Sequence, residues 1–244
     1  MRQNVNIDFL RSRFEALNNY YGVEKGINPN TSILRIEEEL VNGQGVYQFN
    51  LRKENLLPWE RNLKRNDLFL VTHMGFFLSI HNPAKPGKES LLSYAIRGGG
   101  GVEDFFSTTD INALYNGFFE MITGTVQNFS ALPMALFKKV PQNQPSILAL
   151  DDGNGTTTGD ETQPAFNFLE SMHTPTEQIL FAGTQDHRLR VAFPTFPTSD
   201  YSANTPSGEQ RITKLVFIAL GFNVPGGTNP EFQTDLNNMF RVAI

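Results

Sequence analysis

The chain has 244 residues, 39% of them hydrophobic, with a formal charge of −5 and a pI near 5.4. A domain of this size buries about three quarters of its unfolded surface and needs no staple, while the acidic balance argues against a broad phosphate-binding face. Cysteine is absent, which excludes disulfides and thiolate metal sites; no run reaches the ~20 apolar residues of a membrane helix, and Met1 to Leu10 lack the apolar core of a signal peptide.

Ile7, Leu10, Phe14 and Leu17 recur at spacings of three and four, one face of a helix, and Asn6 is placed to cap it. Arg2, Arg11 and Arg13 fall outside that stripe, so the segment reads as an amphipathic helix lying on the body or on a neighbouring subunit. Tyr20 to Asn30, with Gly22, Gly26 and Pro29, ends it. From Ser32 the period becomes that of strands: Leu34, Ile36 and Leu40 alternate with charged residues, and after Asn42-Gly43-Gln44-Gly45 a second alternation carries Tyr47, Phe49 and Leu51. The Asn-Gly turn predicts that the two form a hairpin.

Leu68 to His81 is a long apolar and β-branched run, read as two strands or one strand bulged at Gly75. Ser90 to Ile96 reads as a strand before the loop Gly98 to Gly101, and Thr108 or Thr109 caps a short helix through Leu114. Asn116-Gly117 turns into a strand over Phe118 to Phe129; Ala131 to Val140 ends at Pro141, and 142–145 is a polar connector. Asp151 to Gln163 and Pro194 to Gly208 are long polar loops. Between them Gln178 to Phe193 reads as a hairpin around Thr184 to His187. Ile212 to Val224 is the most β-rich run, and Phe232, Leu236, Met239 and Phe240 follow Pro230 at helical spacing.

The fold class is therefore mainly β: an antiparallel, jelly-roll-like sandwich of about ten strands with short terminal helices. Residues 1–30 form an N-terminal helix and arm, and 31–244 form the body. A division of that body near 142–145 into two compact jelly rolls stays open, though it uses nearly every residue. Phe is in excess, 21 residues against one Trp and six Tyr, and with no polar handle it is expected in the core and at subunit interfaces.

No constellation assigns a catalytic, cofactor-binding or metal-binding residue. His73, His81, His173 and His187 are scattered; His73 and His81 share a sheet face only if the strand between them is regular, and a third ligand is missing. Asp151, Asp152, Asn154, Asp160 and Glu161 resemble a calcium loop in composition but not in spacing, so a solvated loop is expected. Glu37, Glu38 and Glu39 are the densest acid cluster, yet strand geometry sends Glu38 to the face opposite the other two, and a charged outer face is the stronger reading than a hydrolytic pair. Gly98 to Gly101 lack the Lys and Ser/Thr of a phosphate loop.

Two stretches, LPWERNLKRNDLFLVTHMGFF from Leu57 to Phe77 and LYNGFFEMITGTVQNFSALPMALFKKV from Leu114 to Val140, resemble segments of coat proteins from bacteriophages with β-sandwich capsids. The likeness spans about one fifth of the chain. It implies a virion structural subunit, made in the host cytoplasm, that self-assembles as a homo-oligomer, for example a trimer, and meets other virion proteins. It implies no enzymatic activity, no cofactor and no direct nucleic-acid groove, and it leaves open a membrane beneath the shell. The chain is short for a double jelly roll. The alternative is a β-sandwich module for carbohydrate or a receptor, resting on Trp59 and the six Tyr.

Overall fold

Two runs in the sequence are apolar without alternation, and in the computed structural model both become strands buried on both faces. The structure describes residues 7–41, 43–81, 91–92, 115–138, 172–176, 178–193 and 212–228. Among them are nine strands: β1 (Asn30–Glu39), β2 (Val46–Phe49), β3 (Leu68–His81), β4 (Leu91–Leu92), β5 (Phe118–Thr123), β6 (Val126–Pro133), β7 (Ile179–Ala182), β8 (His187–Ala192) and β9 (Ile212–Val224). One sheet has the order β1-β9-β3, with β7 and β4 on the far edge of β3; the other has the order β2-β8-β5-β6.

With the two-residue β4 set aside, the pairing is that of one long hairpin rolled up. First pairs with last (β1 with β9), second with second-last (β2 with β8), third with third-last (β3 with β7), and β5 with β6 at the tip, all antiparallel. This is the jelly roll, the sandwich expected from the sequence. Strands before and after residues 142–145 share both sheets, so the described strands make one sandwich.

Two predicted hairpins are corrected by this topology. β1 and β2 lie in opposite sheets, as do β7 and β8. Local turn chemistry, Gly43 at φ 80° for example, reverses the chain but does not decide which sheet receives the next strand. That is decided by the core, on which Leu34 and Ile36 close from one sheet and Tyr47 and Phe49 from the other. The one tight hairpin among the described strands is β5–β6, where Gly124 at φ 59° turns a run that the sequence reading took as one strand.

The bulge in β3 falls at Thr72 rather than at Gly75, since Val71 pairs with Gly221 but His73 pairs with Leu220. Its effect is visible in the core. Phe69 and Val71 face inward at odd positions before it, and Met74, Phe76 and Leu78 face inward at even positions after it. One extra residue switches the face, which strict alternation cannot do. Phe76 sits at the centre, with its ring 4.9 to 5.5 Å from those of Phe49, Phe119, Phe137 and Phe217. Much of the Phe excess is thus spent in the core.

The outer face of the β1-β9-β3 sheet is also covered. Helix α1 (Ile7–Leu17) continues into a π-helical segment, Asn18–Glu24, beyond the end predicted at Tyr20. Leu17, Tyr20 and Tyr21 pack on Leu68, Leu70 and Val224, and Phe14 meets Phe222 at 5.2 Å. The helix lies on the body, as one of the two expected placements had it. Arg13, however, is 6% exposed, not solvated, and its guanidinium donates to the carbonyl of Val71, beside the bulge. Further along the sheet Met172 packs on Phe77, Val216 and Ile218. Coverage on both faces removes the alternation from β3 and β9. β2, β5 and β8 keep it, because the outer face of their sheet meets solvent.

Candidate functional site

The three glutamates of β1 part company in the fold. Glu39 is exposed and Glu38 half-buried, while Glu37 is 3% exposed, which corrects the expected charged outer face. The cause is the connection from β2 to β3, which runs along the open edge of β1. Arg35 and Arg61 exchange backbone hydrogen bonds of 2.9 Å, and the next edge donor, the Glu37 N–H, is taken by Glu60 Oε1 at 2.9 Å. An edge that would otherwise offer free pairing groups is closed.

Around it lies a buried ionic network. Glu37 Oε1 accepts from Arg35 at 2.6 and 2.9 Å and Oε2 faces Lys214 Nζ at 3.4 Å. Glu60, 1% exposed, accepts from Lys53 Nζ at 2.9 Å and from the Leu57 N–H at 2.7 Å. Every carboxylate oxygen of Glu37 and Glu60 is engaged, so the cluster clamps a loop. Burial, reinforced by Glu60 and opposed by Lys53, raises the Glu38 carboxyl above its usual range. Lys214 lies over one face of the Trp59 ring, 5.7 Å from its centroid. Tyr20, Tyr21, Tyr47 and Tyr115 are buried; Tyr94 and Tyr201 lie outside the described residues.

The histidines do not converge. Pairing with β9 is regular from His73 to His81, and eight residues of strand span about 27 Å, far beyond a shared metal. His73 is buried at the bulge, where Thr72 donates its hydroxyl hydrogen to the Leu220 carbonyl and is 3.1 Å from His73 Nδ1. With that hydrogen committed, Nδ1–H is the donor to the Thr72 oxygen. Burial, and then the nearby Arg13, lowers the His73 pKa. His173 bridges Met74 by two backbone bonds. The ring of His187 rests on Phe181 at 5.1 Å and donates Nε2–H to the Ala182 carbonyl at 2.8 Å. No group of three or more His, Asp or Glu able to hold a metal occurs among the described residues. The acidic stretch 151–161 and the glycines 98–101 lie outside them.

The feature that sequence reading missed is on the open sheet. Val46, Ala192, Phe118 and Pro133 are cross-strand neighbours and form one row over β2, β8, β5 and β6. Val46 is 46% exposed and Phe118 45%, with Leu136 at 42% just beyond β6. The next row is polar: Gln48, Arg190 and Glu120, the last two paired at 3.3 Å. Val46 and Phe118 are 72 residues apart in the chain, and only the strand order aligns them.

Comparison of the chain with protein-family models, curated proteins and solved structures finds no match.

Proposed function

We propose that the chain is a structural subunit of a virus or bacteriophage shell that assembles with copies of itself. The observation that carries the reading is the outward apolar row from Val46 to Pro133, which is followed on that face by the polar row Gln48, Arg190 and Glu120. Apolar surface is stabilised by about 25 cal/mol per Å² when a partner covers it, and an aligned row on rigid strands is a better contact than side chains on loops. Jelly rolls serve several functions, capsids and lectins among them, so the fold supports the reading without deciding it. The likeness of 57–77 and 114–140 to phage coat segments points the same way.

The test is mass photometry and light scattering across protein concentration and ionic strength, followed by electron microscopy of large species. Trimers or closed shells are the expected result, with Val46→Glu/Phe118→Glu shifting the distribution toward monomer at an unchanged melting temperature. A wild-type chain that stays monomeric at the highest attainable concentration overturns the reading.

A further inference from the structure

At one end of the sandwich two open hollows of about 940 and 530 Å³ adjoin across Asn50 and Arg52, between the β2–β3 connection and the β7–β8 turn. Arg52, Lys53, Lys64, Arg65 and Arg188 line them, against Glu54 and Asp186. Five of the chain's 20 basic residues and two of its 25 acidic ones are gathered there, which leaves 15 basic against 23 acidic elsewhere. Lys53 is held by Glu60 and Arg52 by Asp186. Lys64, Arg65 and Arg188 are exposed and make no ion pair among the described residues.

The lining narrows the ligand. It includes Asn50, Asn55 and Asn62 as amide donors but no Phe, Tyr or Trp, and its one imidazole, His187, is held against Phe181, which leaves little aromatic surface on which nucleobases stack. Cations beside amide donors suit carboxylates. This chain itself supplies them, since residues 151–177 hold six acidic residues and no Lys or Arg.

We infer that this groove receives the acidic stretch 151–161 of a second copy, a head-to-tail charge contact between subunits. The inference rests on the self-assembly reading and names one of its contacts. A heterologous contact of this kind joins unlike surfaces and propagates into rings or lattices.

The test uses the full chain with two reversed variants, Lys64→Glu/Arg65→Glu/Arg188→Glu and Asp151→Lys/Asp152→Lys/Asp160→Lys/Glu161→Lys, with circular dichroism confirming that each is folded. Self-association of the wild type is expected to weaken at least about tenfold as salt shortens the Debye length from about 10 to 3 Å. Each variant alone should associate at least about tenfold more weakly than the wild type, and an equimolar mixture of the two should recover association because both charge contacts are restored in trans. Wild-type association that persists in the groove variant overturns the inference and leaves the structural-subunit reading standing. Absence of wild-type association under any condition overturns both. If the groove variant loses binding to heparin or an oligonucleotide while assembling normally, the groove serves another polyanion and the inference also fails.

Discussion

Replacing Glu60 by Ala tests whether the ionic clamp on β1 stabilises the fold. The carboxylate is 1% exposed and accepts from the Glu37 N–H, the Leu57 N–H and Lys53. Truncation strands two backbone donors, each costing about 1 to 3 kcal/mol where water is excluded. The Lys53 side chain is 28% exposed and keeps its bond to the Glu37 carbonyl, so its share is discounted to less than about 1 kcal/mol. The expected loss is about 3 to 4 kcal/mol, within the range for breaking a buried pair, and for a chain of this length about 10 °C of melting temperature. Glu60→Gln keeps one acceptor oxygen but presents an amide NH₂ to the remaining donors, so about 2 kcal/mol is expected. Urea unfolding at constant m value measures both. A loss under about 1 kcal/mol for Glu60→Ala would refute the claim that the loop is clamped by a desolvated carboxylate.

Two glycines separate steric from conformational cost. A Cβ on Gly221 would meet the Leu70 carbonyl oxygen at 1.9 Å, backbone against backbone beside the β3 bulge, so Gly221→Ala should cost more than about 3 kcal/mol or prevent folding. Gly26 has φ +70° with nothing within 4 Å, and Gly26→Ala should cost about 1 kcal/mol; equal urea midpoints for the two variants would contradict the close approach. Acidification should also destabilise the protein through His73 and His187, whose pKa values burial pushes below 6.5. The unfolded chain then binds more protons, so their contribution is complete above pH 6.5 and is lost as pH falls through the folded values. A pH series of urea melts on the wild type and on His73→Gln/His187→Gln reads this, with a shallower slope expected in the variant; identical slopes would exclude these histidines as the source.

Most strands were legible because their signals are local. The alternation of β2 and β8 and the unbroken apolar runs of β3 and β9 each follow from the faces those strands bury. Partner choice was not legible. The turns after β1 and after β7 looked like hairpin turns, yet each sends the chain across the core to the opposite sheet. In a rolled hairpin, first pairs with last, and the register of Asn30 against Asn223 spans nearly the whole chain. Nothing within a window of ten residues encodes it.

The same non-locality governs the candidate sites. Arg13 falls outside the apolar stripe of its helix, yet its long guanidinium reaches the Val71 carbonyl, next to the bulge at Thr72. Glu37 looked exposed because β1 alternates, but residues 53–61 return to cover that edge. The apolar row follows the same logic in reverse: Val46 and Phe118 drew no notice in the sequence, and they become a contiguous surface only when β8 lies between β2 and β5. Because this row is an outcome of pairing, slipping β8 by one residue would bury its polar set and expose Leu189 and Val191 instead. The core that fixes the register of β8 therefore also fixes the surface offered to a neighbour, and substitutions that loosen Leu189 or Val191 should weaken assembly together with stability, whereas Phe118→Glu should weaken assembly alone.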